Sequence, residues 1–167
     1  CAVDTDPGRA AVLAAAHPGC RASRDWREAI SDSAVGAVTV CLPHDLHAEA
    51  GIAAARAGMH VLVEKPLAAT LEEADVMIAA ASSARVTLMV AENILFSPLY
   101  RRVADLVKTA AIGKPALVQV SRGCYLRRSL LADRPWFLDA RRAAGGIMMS
   151  GGVHDFAKIG MFMDDVS

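Results

Sequence analysis

Apolar residues in the first half of this chain fall into two alternating arrangements. Short valine-rich runs at Cys1–Val3, Ala37–Leu42, His60–Val63 and Val86–Ala91 are nearly continuous and are bounded by turn residues. Strands covered on both faces by helices read this way, because neither face meets water. Between the runs lie alanine-rich amphipathic segments at Gly8–Ala16, Trp26–Ile30, Asp45–Ala57 and Thr70–Ala84. Asp45 is a candidate N-cap for the third, with Gly58 as its stop. Thr70 and Glu73 have capping-box spacing for the fourth, whose Leu71, Ala74, Met77, Ile78 and Ala81 form one apolar stripe. Strand and helix in regular alternation predict an α/β fold with a doubly wound parallel sheet.

The second half changes character. Pro98–Ala111 reads as a helix that the turn Gly113-Lys114-Pro115 ends. Ala116–Tyr125 alternates as a strand with one wetter face. Arg122–Arg142 carries six arginines against Asp133 and Asp139, with Pro135 and Trp136 between them. This stretch is expected to be an irregular loop at the mouth of a substrate site, ordered in part by Trp136. Gly145-Gly146 opens a last helix that runs to about Met163. The change falls near Asn93 to Pro98, giving one domain over residues 1–95 and the start of a second α/β domain, with an open sheet, over 96–167.

Composition narrows the function classes. With 54% hydrophobic and 22% charged residues the chain can bury a core, which excludes disorder. Eighteen basic residues balance eighteen acidic ones, so no net field draws it to nucleic acid or to a membrane surface. Cys1, Cys20, Cys41 and Cys124 show neither C-x-x-C nor close pairing, so no metal site is expected and a reducing cytoplasm fits best. The chain starts on a cysteine in an apolar stretch and so reads as a fragment, with a βαβ unit carrying a glycine loop expected upstream.

In open α/β sheets, ligands sit beyond the carboxyl ends of the strands. The polar residues of this chain gather there: Asp4-Thr5-Asp6 after the first run, Pro43-His44-Asp45 after the second, Glu64-Lys65-Pro66 after the third, and Glu92-Asn93 after the fourth. An acid at the position of Asp4 in a dinucleotide-binding (Rossmann-like) sheet accepts from a ribose 2′-hydroxyl and favours NAD over NADP, although Asp4 and Asp6 also suit plain helix capping. Lys65 is either a catalytic base, its charge destabilised by partial burial beside a cationic nicotinamide, or half of a surface Glu–Lys pair. In the last helix Ser150 and His154 stand four apart and share a face that Lys158 continues, so both can address one substrate carbon. Gly151 and Gly152 between them allow a close approach to the backbone. The alternative is a buried histidine bonded to a carbonyl.

Glu64-Lys65-Pro66, within the phrase A-G-M-H-V-L-V-E-K-P-L-A, resembles the Gfo/Idh/MocA oxidoreductases, named for glucose–fructose oxidoreductase, inositol dehydrogenase and a rhizopine-catabolism protein. The likeness extends to the Val3-Asp4 strand end, Pro43 with His47, the I-G-K-P turn at Ile112 to Pro115, Gly145-Gly146 and His154. It implies a two-domain, NAD-dependent dehydrogenase of about twice this length, a homo-oligomer built on the open sheet of its second domain. By motif, Lys65 corresponds to the family's catalytic lysine and Glu64 to a residue near the nicotinamide ribose. Pro43 and His44 fall where the nicotinamide pocket is lined. Asn93 matches a polar residue after the sixth strand, and His154 matches the second-domain histidine. Ser150 departs from the family's aspartate, and Ala157 from an acid three residues after the histidine.

The resemblance implies hydride transfer between NAD and a sugar, polyol or related hydroxyl compound. Lys65 and His154 would exchange the hydroxyl proton, and Ser150 would position the hydroxyl. Two alternatives stay open. One is glycoside cleavage through transient oxidation by a tightly held NAD; the other is a cofactor-binding sensor or non-catalytic partner subunit.

Overall fold

Parallel strands in this protein are short and are ordered by their crossovers. The computed structural model describes residues 1–121, 123 and 135–163. The elements run β1 (Ala2–Val3), α1 (Pro7–Ala15), β2 (Ala22–Ser23), α2 (Trp26–Ile30), β3 (Ala37–Val40), α3 (His47–Arg56), β4 (His60–Val63), α4 (Leu71–Ala84), β5 (Leu88–Val90), α5 (Pro98–Lys108) and α6 (Val153–Phe162). β1 pairs with β2, and β3-β4-β5 form a second sheet; every pairing is parallel. This is the doubly wound α/β arrangement read from the sequence. β2 was not foreseen, because two residues, Ala22 and Ser23, between arginines carry no hydrophobic run.

The core lies under the β3-β4-β5 sheet, where Val40, Val61 and Val63 meet Ala54, Ala55, Met59 and Met77. Gly51 lets α3 and α4 approach closely, since a Cβ there would stand 2.9 Å from the Met77 sulfur. Burying Met77 contributes about 2 kcal/mol. Of the α4 stripe, Met77 and Ala81 are buried, but Leu71 and Ile78 are exposed, because the helix turns only its middle face to α3. Thr70 caps α4 by accepting from the Glu73 N–H at 3.2 Å, and Glu73 reaches back to the Ala69 N–H at 3.0 Å. Gly58, at φ +83°, ends the α3 segment in the left-handed conformation expected of it.

Asp45 does not cap α3. A 3-10 turn over His44–Leu46 intervenes, α3 starts at His47 without a side-chain cap, and Asp45 instead pairs with Arg142. α5 stops at Lys108, three residues before the expected Ala111, where Ala110 takes a positive φ. The strand expected over Ala116–Tyr125 is also corrected: among the described residues, 116–121 join no ladder, since alternation alone makes no strand without a partner edge to bond. Of the arginine-rich stretch, 122 and 124–134 lie outside the described residues; Pro135–Leu138 is a 3-10 turn followed by further turns. No helix among the described residues is long and apolar enough to cross a membrane.

Candidate active site

β3, β4 and β5 end side by side, and the loops that leave them carry the polar residues singled out above. After β4, the Glu64 carboxylate accepts from the Lys65 N–H at 3.1 Å, and the Lys65–Pro66 bond is cis. The Lys65 side chain crosses to the second half of the chain, where its ammonium donates to the Ser150 carbonyl at 2.8 Å. Ser150 is buried within a π-helical turn, Met148–Gly152, that opens directly into α6. Such turns widen the helix locally and recur at functional sites. The contact of Ser150 with Lys65 is made by its main chain, whereas the role expected from the sequence belongs to its side chain.

His154, in the first turn of α6, meets the end of β5. Its Nδ1 lies 2.7 and 2.8 Å from the two Glu92 oxygens. Lys65, Glu64, Asn93, Glu92 and His154 line one cavity of about 330 Å³, closed on its apolar side by Leu62, Met89 and Phe96. The structure thus brings Lys65 and His154 to one space although they lie in different halves of the chain.

The other candidates sit elsewhere. The Pro43–Leu46 loop holds His44 buried, with Nδ1 donating to the Ala143 carbonyl at 3.1 Å and the ring edge-on to Trp136 at 4.9 Å. Burial holds the His44 imidazole below its usual titration range, partly offset by that bond to Ala143. Beside it Arg142 donates to Asp45 at 3.1 Å. His47 is fully buried, its ring nitrogens 2.7 Å from the Pro66 carbonyl and 2.8 Å from that of Leu42, so it ties the loop after β3 to the loop after β4. At the far pair of strands, Asp6 caps α1 by accepting from Gly8 N–H, and Asp4 accepts from Asp6 N–H at 2.8 Å. Asp4 is half-buried at the end of β1 and is not part of the Lys65 cavity.

Sequence reasoning placed Glu92 at a strand end but did not connect it to His154. A carboxylate immediately after a buried strand, next to Asn93, was the available signal. The contacts of His44 with Trp136 and of Asp45 with Arg142 had none, because nothing in spacing relates positions so far apart.

Residues 1–92 match the family model described as "Oxidoreductase family, NAD-binding Rossmann fold", and residues 100–167 match the GFO/IDH/MocA C-terminal domain. Among curated relatives, 1,5-anhydro-D-fructose reductase of Ensifer adhaerens is 36% identical over 83% of this chain and 40% of its own length. Myo-inositol 2-dehydrogenase of Thermotoga maritima is 34% identical over 81% of this chain and 38% of its own. The chain thus spans about two-fifths of the length of these relatives. A solved levoglucosan dehydrogenase, in complex with NADH and levoglucosan, superposes with a TM-score of 0.75 at 26% identity, over 99% of this chain and 45% of that one.

Proposed function

The chain belongs to the Gfo/Idh/MocA oxidoreductase family, and from that premise we propose that the whole protein transfers hydride between a nicotinamide cofactor and a hydroxyl of a sugar, polyol or related compound. One observation carries the reading: the Lys65 ammonium and the His154 imidazole, from the two matched segments, line the same cavity. The curated names of its relatives, a reductase of anhydrofructose and a dehydrogenase of myo-inositol, support the substrate class.

The cavity suits a nicotinamide ribose. Leu62, Met89 and Phe96 offer apolar surface to a flat ring, while Glu64, Lys65 and Asn93 offer polar partners. Asp4, at the end of β1, would accept from the adenosine ribose and disfavour a 2′-phosphate, so NAD is preferred over NADP. Pro43 and His44 would shape the pocket from the loop after β3, and His47 fixes that loop to the one bearing Lys65. A bound nicotinamide supplies the hydride acceptor or donor. Lys65 accepts or returns the proton of the substrate hydroxyl, and its bond to the Ser150 carbonyl aims the amine across the cleft. His154 is the second proton-handling group, and Ser150, buried one helical turn before it, would position the hydroxyl. The two matched segments support partial domains over 1–95 and 96–167. The reading extends to a cytoplasmic homo-oligomer, which light scattering on the whole protein tests.

The central test is turnover of a panel of sugars and polyols by the whole protein, followed through reduced nicotinamide. Lys65→Ala should lower kcat by roughly 10²–10⁴, about 3–5 kcal/mol of barrier, with cofactor affinity little changed. Unchanged turnover in that variant would end the dehydrogenase reading. A tightly bound nicotinamide without turnover would favour a sensor.

A further inference from the structure

Glu92 is 6% exposed, and a carboxylate so buried needs partners. It has the Ile94 N–H at 3.0 Å, which joins it to the start of the 3-10 turn after β5, and the His154 ring at 2.7 and 2.8 Å. An ionised carboxylate only accepts, so the histidine Nδ1 carries the hydrogen. The distances are those of a charge-assisted bond. The histidine side chain is 20% exposed and the glutamate 8%, so water competes little for either.

We propose that Glu92 is the positioning residue of this site: it locks His154 in the Nδ1–H tautomer, leaving Nε2 as the ring atom that takes the substrate proton. The inference rests on the hydride-transfer reading for the identity of that proton. In the step, the hydroxyl O–H bond breaks as the Lys65 amine takes its proton, the ammonium so formed gives up a proton as the Nε2–H bond forms, and the ring becomes a cation. Glu92 stabilises that cation without taking the proton, as a carboxylate behind an imidazole does. Ser150 supplies no carboxylate, and Glu92 reaches the ring from the opposite side of the seam. Glu92 lies within the first matched segment and His154 within the second, so the base is oriented only where the two halves meet.

Glu92→Gln separates positioning from simple cohesion. The amide has the same shape but no charge. With its oxygen kept at the Oε1 position for the Ile94 N–H, its NH₂ group stands at the Oε2 position, 2.8 Å from Nδ1, where two facing donors would clash unless Nδ1 gives up its hydrogen and accepts. That moves the ring hydrogen to Nε2 and blocks proton acceptance. In the whole protein, kcat should fall by roughly 10²-fold or more with KM changed less than about twofold, and Glu92→Asp should recover part of the loss. Nitrogen-15 NMR of His154 should read Nδ1–H in the unmodified protein and Nε2–H in Glu92→Gln. An Nε2–H tautomer in the unmodified protein, or a kcat in Glu92→Gln within about twofold of normal, overturns the proposal. The NMR measurement needs no turnover, so it decides the role of Glu92 even where the hydride-transfer reading fails.

Discussion

The segment from β3 to β5 and the segment from α5 to α6 are held in place by different forces. The first has its own apolar core, with Ala54, Ala55, Val63 and Met77 wholly removed from water. Among its described residues the second buries few apolar side chains: Ala104 and Ala143 are covered, with the Ser150–Gly152 turn, whereas Ile147, Met148 and Phe156 are exposed and α6 has no buried residue. It is tied to the first through directional polar bonds, each starting in a strand-end loop. His44 bonds Ala143, Asp45 pairs with Arg142, Lys65 reaches Ser150 and Glu92 holds His154. Apolar burial is non-directional and supplies stability; hydrogen bonds add modestly to stability but fix geometry. The candidate chemistry sits where geometry, not cohesion, is being set.

Breaking the first segment should therefore have the larger effect. Met77→Ala removes a fully buried side chain from between α3 and α4, and should destabilise the protein by about 2–5 kcal/mol in denaturant titration. A loss below about 1 kcal/mol would mean that the site does not rest on this core.

At the seam, Ser150→Asp is the next largest. The Ser150 carbonyl already lies 2.8 Å from the Lys65 ammonium, so a carboxylate on the same residue would sit near that charge. An ion pair that favours the ammonium by about 1.4 kcal/mol lowers the fraction of neutral amine tenfold. Activity on polyols should fall by roughly that factor; a rise would show that the serine is a loss and not an adaptation.

The same contrast explains what was legible in the sequence. Core-dominated elements announce themselves locally: the valine runs of β3 and β4, the capping box at Thr70 and Glu73 and the Gly58 stop all depend on neighbours a few residues away. Lys65 and His154 were legible through a motif and a helical spacing. The partner of His154 was not, because Glu92 comes from a distant segment and its reach depends on how β5 and α6 dock. Asp45 was misread for the same reason, since an acid before a helix looks like a cap until a distant Arg142 is placed beside it. Over its described residues, 116–121, the strand expected at Ala116–Tyr125 does not form, because a strand is defined by its partner as much as by its own alternation.

A double-mutant cycle on Asp45→Ala and Arg142→Ala measures the polar tie itself. The arginine side chain is 41% exposed and the aspartate 30%, so solvent screens the pair and the coupling should be about 0.5–1 kcal/mol. The second Asp45 oxygen is buried with no partner among the described residues. Asp45→Asn should cost less than Asp45→Ala, because the amide keeps an oxygen to accept from Arg142, which alanine cannot. Thermal melts of the four proteins in the cycle, with Asp45→Asn alongside, check both statements, and a coupling near zero would leave this tie with no role.

The smallest effect belongs to His44, where the seam should respond to pH. Burial, against the opposing bond to Ala143, lowers the folded-state pKa of this imidazole from its ordinary 6.5. The unfolded chain therefore binds the proton more readily, and stability rises with pH between the two values. The stabilisation is complete above the unfolded value and is lost as pH falls below it, when His44 must be charged against Lys65 and the buried loop. His44→Phe keeps an aromatic ring against Trp136 but cannot titrate. Melts at pH about 7.5 and about 5.5 should show a shallower loss on acidification in His44→Phe than in the unmodified protein. Equal slopes would remove His44 from the acid sensitivity of the seam and leave its bond to Ala143 as a purely geometric device.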